Sequence, residues 1–466
     1  MTGDASSMRS LLRRAPTPTR YPRQSPATRN ELLALARERA HSPLPSLRKL
    51  AATSPGKLFM ITTVLVVVAV LSGWYASTVL DNRTAALTET IDDTEPIAES
   101  AQVLYSSLSI ADATANTAFT SGGLEPQSLR TRYNDALATA SQALIAAAAG
   151  TSNENEQVRA DLNLLSEQIP VYAGLIESAR VNNRLGNPVG SAYLGEASSL
   201  MQTSVLPAAE RLYEKRSQAI SDPQNRFKTP PWAVYVVITL MLAILLLTSR
   251  YLARRTRRRL NLGLLVATAC VVVSMLWLLI AGLLSVGYTS SAENKGAGPL
   301  RDLTHARILT QKARSDETLS LVRRGDSNAL ESDFASSAAQ IKQTLDSFGP
   351  DGDNKDTVTD AIVKAQSALI TWQQAHTTTV QRTAAGDFSG ATAIAVGNSP
   401  DGSAVAYGAL DAALTDGITQ TRTTLRDDLT TARVVLGFAG TGVLALLLVA
   451  AVATVAGMFP RIREYR

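Results

Sequence analysis

The sequence predicts an all-α membrane protein: four transmembrane helices and two extracytoplasmic up-down four-helix bundles, arranged as a tandem duplication. Three observations predict it. Residues 58–80, 232–249, 262–288 and 434–459 contain no Asp, Glu, Lys, Arg or His, and each meets the length of roughly 18 apolar residues that a membrane-crossing helix needs. The segments between them, 81–231 and 289–433, read as helices throughout, with apolar residues at helical spacing. The connection 250–261, RYLARRTRRRLN, holds six arginines and no acid. An arginine costs roughly 2.5–3.5 kcal/mol at a bilayer centre, so this loop lies on one membrane face, and its positive charge assigns the cytoplasmic one.

The remaining charge agrees with that orientation. Residues 1–57 carry eleven Lys/Arg against three acids, and residues 460–466 carry three against one. The long segments are acidic instead, with eleven bases against eighteen acids in 81–231 and fourteen against eighteen in 289–433. The pI near 9.3 therefore belongs to membrane-flanking segments, and nucleic acid is not an expected partner. Trp74, Tyr75, Trp232, Tyr235 and Tyr288 fall near the outer ends of their spans, as interfacial anchors do. The expected localisation is the plasma membrane, multi-pass, with both termini cytoplasmic. The first span is no cleaved signal peptide, because its apolar core is too long and 57 residues precede it.

Residues 1–29 are rich in Arg, Ser, Thr and Pro and predict a disordered stretch within the basic tail 1–57. Asn30 caps a short predicted helix over 31–40, which Pro43, Pro45 and Pro55 keep from running into the first span. This tail either rests on anionic lipid or docks a cytosolic partner. Segment 81–231 is divided by Pro96, Gly122-Gly123 with Pro126, 150–155 and 186–190. The predicted helices, 96–121, 126–149, 156–185 and 191–221, are about 36–45 Å long at about 1.5 Å per residue. Matched lengths and short loops predict an up-down-up-down bundle. Leu162, Leu165, Ile169, Tyr172 and Leu175 draw a core stripe on the third helix, where Pro170 predicts a kink. Asp222-Pro223 is expected to break the fourth.

Segment 289–433 repeats the plan. Its breakers are 296–299, 325–326, 349–352 and 386–402, and its helices 299–324, 328–348, 353–385 and 403–433, the last continuing into the fourth span. Gly186-Asn187-Pro188-Val189-Gly190-Ser191-Ala192 with Tyr193 parallels Gly397-Asn398-Ser399-Pro400-Asp401-Gly402-Ser403-Ala404 with Tyr407. Phe119, Gly123, Tyr133 and Leu144 correspond to Leu321, Gly325, Phe334 and Leu345. The chain is two copies of span–bundle–span joined by the arginine loop.

Reaction chemistry is sparse. The one cysteine, Cys270, lies in a span, so the outer segments are held by packing without disulfides. His41, His305 and His376 lack metal-ligand spacing. Asp351-Gly-Asp-Asn-Lys-Asp356 lacks the spacing and closing glutamate of a calcium loop and reads as a helix–helix turn. Gly440-Thr-Gly442 is a false match to a dinucleotide fingerprint, since it lies in a span with no strand before it. No nucleophile–base pairing, H-E-x-x-H, P-loop or kinase signature occurs. The expected function is non-enzymatic, with no catalytic, metal or cofactor residue. Spans without ionisable groups also argue against a channel or transporter.

Up-down topology puts the first and third turns of each bundle farthest from the membrane. Candidate extracytoplasmic partner or ligand contacts are therefore Asn182, Asn183, Arg184, Tyr193 and Glu196 in the first bundle, and Arg323 and Arg324 in the second. A solvated helix end is the plainer reading of the same residues. An arginine at such a tip can fork onto a carboxylate. Candidate cytoplasmic contacts are Arg254, Arg255, Arg257, Arg258 and Arg259, facing either anionic lipid or an acidic patch on a partner.

The runs IPVYAGLIESARVNNRLG from Ile169, GSAYLGEASSLM from Gly190 and LPAA from Leu206 resemble the GlnX proteins of actinobacteria. The resemblance covers the chain from about residue 30 onward, through its order of elements; the motif is distinctive in the first bundle and faint in the second. It implies a relay of amino-acid availability from an extracytoplasmic amino-acid-binding lipoprotein, GlnH, to the cytosolic Ser/Thr kinase PknG. That kinase in turn controls 2-oxoglutarate flux through a small forkhead-associated-domain protein. Membrane lipids are further expected partners, and homo-oligomerisation stays open. Two rival readings remain at this level: a direct small-ligand sensor of the chemoreceptor four-helix-bundle type, and a structural envelope scaffold without switching.

Overall fold

The computed structural model describes residues 54–120, 125–149, 156–227, 229–256, 261–322, 328–349 and 359–463. The basic tail before Ser54 with its helix at 31–40, the turn at 351–356, and Arg257, Arg258, Arg259, Arg323 and Arg324 lie outside the described residues. Among those described, every regular element is a helix. The first half comprises α1 (Ser54–Glu89), π1 (Thr90–Thr94), α2 (Glu95–Thr120), α3 (Gln127–Ala148), α4 (Glu156–Arg184), α5 (Val189–Leu200), π2 (Met201–Val205), α6 (Leu206–Phe227) and α7 (Trp232–Thr256). The second comprises α8 (Leu262–Ser291), π3 (Ala292–Ala297), α9 (Gly298–Val322), α10 (Asn328–Asp346), α11 (Thr359–Ala384), α12 (Phe388–Val396) and α13 (Ser403–Arg463).

Span and bundle are not separate elements. One unbroken helix covers Gly56–Phe119 through α1, π1 and α2, and another covers Leu262–Val322 through α8, π3 and α9. α13 returns the same way over 61 residues, about 90 Å at about 1.5 Å per residue. The breaks expected at Pro96 and at 296–299 are therefore corrected. An interior proline forfeits one backbone bond and crowds the carbonyl four residues back. Pro96, Pro207 and Pro299 each stand second after a π turn. At that turn the ladder changes register, and the N–H groups of Glu95, Leu206 and Gly298 reach five residues back, to the carbonyls of Thr90, Met201 and Glu293. The missing donor falls where the α pattern is already interrupted, so the helix survives. Two further corrections concern helix ends. Pro223 lies within α6, which runs on to Phe227. The presumed loop 386–402 contains α12, whose N-terminus Asp387 caps by accepting the Gly390 N–H at 2.9 Å.

Among the described residues four helices are long and apolar enough to cross a membrane, the pattern of a multi-pass membrane protein. α13 packs along both α1 and α8, and α7 contacts the same two. Leu71, Trp74, Trp277 and Val452 are exposed on the outer faces, where lipid rather than water is the natural solvent. At the end bearing the arginine-rich connection α8 and α13 touch backbone to backbone. A Cβ on Gly263 would stand 2.4 Å from Gly457 Cα and 2.5 Å from the Ala453 oxygen. Asn261 accepts the Gly263 N–H at 3.2 Å and donates from Nδ2 to the Gly457 carbonyl at 2.9 Å. The last residue of the connection is thereby tied to the far end of the chain.

Within each bundle the first helix packs on the second and fourth, and the third on the fourth. Tyr133, Ala136, Ala140, Ala143 and Ala147 form the buried stripe of α3 at three- and four-residue steps. On α4, Leu162, Leu165, Ile169 and Tyr172 are buried; Ile176 takes the next core position and Leu175 packs at its edge. The third helix ends identically in both halves. Gly186 (φ 72°) and Gly386 (φ 80°) adopt the left-handed conformation. Their N–H groups bond Asn183 and Thr383, while Asn187 and Asp387 reach back to Asn182 and Arg382, a Schellman closure that favours glycine. The cores differ between halves. That of the second bundle is continuous with the span interior from Leu65 to Met458, whereas the first bundle has its own, joined by Ile308 of α9.

Candidate functional site at the bundle tip and the inter-bundle seam

At the tip of the first bundle, Asn183 and Arg184 line a shallow cleft with Phe119, Glu125, Arg180 and Leu194. Arg180 holds it together. It pairs with Glu125 at 3.0 Å and lies 4.2 Å above the Tyr133 ring. Asn182 is occupied locally, donating to the Ser178 carbonyl at 2.9 Å and accepting from Asn187 at 3.1 Å. Tyr193 is half-buried against the bundle core, and Glu196 and Arg184 are exposed. The first bundle's tip candidates thus divide into groups that shape the turn and groups that face solvent. Arg254 is exposed near the end of α7, and Arg255 is that helix's penultimate residue.

The more elaborate polar construction lies where α2 and α9 pack together. Asp112 of α2 is wholly buried. Its carboxylate accepts from Ser315 of α9 at 2.7 Å, Ser198 and Gln202 at 3.2 Å, and Tyr172 at 3.4 Å. Gln202 also donates to Ser315 at 2.9 Å, and Gln311 of α9 donates to Ser106 of α2 at 2.8 Å. Burial pushes the Asp112 carboxyl up, and its hydroxyl and amide donors pull it back.

The second bundle holds a matching buried acid. Glu317 of α9 accepts from Trp372 at 3.0 Å, from Arg314 at 2.6 Å and from His376 at 3.2 Å, and His376 reaches Glu331 at 2.9 Å. Tyr172 on Asp112 and Trp372 on Glu317 make the same contact in the two halves, an aromatic donor of the third helix on an acid of the first. Burial alone would lower the His376 pKa, but its hydrogen bonds to Glu317 and Glu331 reverse this and raise it from 6.5 to about 9. Burial likewise pushes Asp316 from 3.8 up to about 7. Burial also works against the Glu317 charge, yet His376 and Arg314 hold this carboxyl below its usual 4.5.

These directions fix a pH dependence. Stabilisation by protonated His376 is fully present below pH 6.5 and is lost as pH rises through about 9. Neutral Asp316 acts in the same sense, from 3.8 upward through about 7. The Glu317 contribution instead fades as pH falls below 4.5. The second bundle is therefore expected to melt highest near pH 4.5, to lose stability through about pH 7 as Asp316 ionises, and to lose up to about 3 kcal/mol more from the His376 shift by strongly alkaline pH. Thermal melts across that range check it, and a flat profile would refute the assignment.

Closer to the spans, α13 of the second half grips α2 of the first. Arg422 forms an ion pair with Glu95 at 2.9 Å and donates to Glu99 at 2.7 Å and Gln102 at 2.8 Å, and Arg426 pairs with the same two glutamates. In the same turn of α13, a Cβ on Gly296 of π3 would meet Leu425 Cβ at 2.8 Å, so this layer is closely packed as well as charged.

The first bundle, from the end of α1 to the end of α6, has a counterpart among known families. Residues 86–225 match the family model of the actinobacterial sensor domain. No curated protein and no solved structure matches the chain. The matched segment contains the tip cleft, Asp112 with its bundle partners, and the glutamates gripped by Arg422, so sensing is the role supported for this half. Sequence reasoning missed the seam. Ser106, Ser109, Asp112 and Asn116 recur at helical spacing on α2, and such a polar stripe reads as a solvated face. It is buried because the other half covers it.

Proposed function

We propose that the chain is a non-enzymatic transmembrane signalling protein that relays extracytoplasmic amino-acid availability, through a solute-binding lipoprotein, to a cytosolic Ser/Thr kinase. One observation carries the reading: the helices Gly56–Phe119, Leu262–Val322 and Ser403–Pro460 run without a break from bundle to span. A rigid helix of this kind carries a displacement of the bundle to the opposite membrane face. The sensor-domain match of 86–225 supports the sensing half, and the resemblance to GlnX supports the choice of partners. In this reading the lipoprotein docks on the tips, at Asn183, Arg184, Tyr193 and Glu196 and at Arg323 and Arg324. It shifts the protein between two arrangements only if its ligand-bound form prefers one of them.

The output lies in the basic tail, the arginine-rich connection or the C-terminal segment 460–466. Deleting residues 1–50 is expected to abolish signalling with insertion intact. If signalling survives that deletion but fails when Arg254, Arg255, Arg257, Arg258 and Arg259 become glutamine, the connection is the output. A photo-crosslinker at Arg184 is expected to capture the lipoprotein in cells, and capture of no such protein would sink docking at the tip.

A further inference from the structure

A cleft opens between the bundles where α2, the start of α3, α9 and the start of α13 meet. It encloses about 190 Å³, below the roughly 300–1,000 Å³ of drug-sized sites, which suits a ligand of only a few heavy atoms. Its polar lining is one-sided. Arg132 is exposed at the rim, and Arg314 lies inside with 4% exposure. Thr114 and Tyr407 are also buried in the wall, and Asn398 stands exposed beside them. Among the described residues no Asp or Glu lines it. The nearest carboxylates are already engaged, Glu317 by Arg314 and His376, and Asp411 by Arg307 at 2.7 Å and Gln311 at 3.4 Å.

Arg314 uses one nitrogen, Nη1, on Glu317 and sets its guanidinium 5.5 Å from the Tyr407 ring. Among the described residues its Nε and Nη2 have no acceptor, and the Thr114 and Tyr407 hydroxyls have no hydrogen-bond partner. These groups keep contact with the solvent of the cleft, and a guanidinium is the group best shaped to fork onto a carboxylate. A cationic ligand would meet only like charge here. Ile110, Leu129 and Val405 supply the apolar remainder of the wall.

We propose that this cleft binds a small organic carboxylate, held at its carboxyl end by Arg314 and Arg132 and along its hydrocarbon body by Ile110, Leu129 and Val405. Because both halves line the cleft, an occupant clamps the bundles together directly, whether or not a protein docks at the tips. The site makes the seam itself a sensor of an organic anion.

The test uses the full chain in lipid nanodiscs, with hexanoate and glutarate as probes and hexylamine as the cationic control, read by calorimetric titration and thermal shift. Saturable binding of at least one carboxylate is expected, with a raised melting temperature. Arg132→Gln should weaken it tenfold or more, and Val405→Trp, which fills the cleft from an exposed position, should abolish it. Arg184→Gln at the tip should leave it unchanged, which separates this site from docking there. Absence of binding by both carboxylates, equal binding of hexylamine, or undiminished binding in both cleft variants would each overturn the proposal.

Discussion

Replacing His376 with alanine is expected to destabilise the second bundle by about 3–5 kcal/mol, the cost of stripping one partner from a buried ion pair. Glu317 is 1% exposed, so its charge depends entirely on protein partners. Alanine removes the ring that bridges Glu317 and Glu331 and that stacks on Phe334 at 3.6 Å between centroids. Arg314 and Trp372 remain, but two negative charges lose their shared counterion. Trp372 touches the site and reports on it once Trp74, Trp232 and Trp277 are replaced by phenylalanine. The double variant His376→Ala with Glu317→Gln should recover part of the loss, because the uncompensated charge is gone. A single variant that melts like the parent would show that Arg314 and Trp372 suffice.

Gly263→Val is expected to have a comparable effect by a different route. The added Cβ would fall 2.4 Å from Gly457 Cα and 2.6 Å from Gly457 nitrogen, inside any allowed contact distance, and both atoms are backbone that cannot rotate away. The helices must separate, which also breaks the Asn261 bond to the Gly457 carbonyl. Overpacking of this sort costs about 1–3 kcal/mol, and rigid backbone neighbours place this case at the upper end. Gly174→Ala is the matched control. Nothing lies within 4 Å of its Cβ position, and a helical glycine exchanged for alanine should gain about 0.5–1 kcal/mol. Thermal stability in detergent separates the two, and equal behaviour would contradict the crossing geometry.

The fold was legible where hydropathy carries the information. Uncharged runs of membrane length and three- and four-residue spacing on α3 and α4 are local properties, and they identify helices directly. Pro96 and Pro299 read as breaks for a physical reason: each follows a π turn that absorbs its missing N–H, and no local sequence signal marks such a turn. The seam was illegible for another. Asp112 meets Ser315 across more than two hundred positions of chain, so its burial is a tertiary fact. His376 shows the same limit, since two glutamates from other helices, not its neighbours, give it a role. The tip residues Asn183 and Arg184 were reachable because topology alone places a helix end.

The make-up of the seam bears on how tightly the bundles need to hold each other. Joined through the short connection at 250–261, they meet as parts of one molecule, at effective concentrations that for short tethers reach the millimolar range. A largely polar interface of serines, glutamines, one buried aspartate and the pairs of Arg422 and Arg426 with Glu95 and Glu99 suffices under that tether. When it parts it offers water hydrogen-bonding groups, so the separated arrangement carries little risk of aggregation. Covalent linkage thus adds to the packed area as a source of association between the halves.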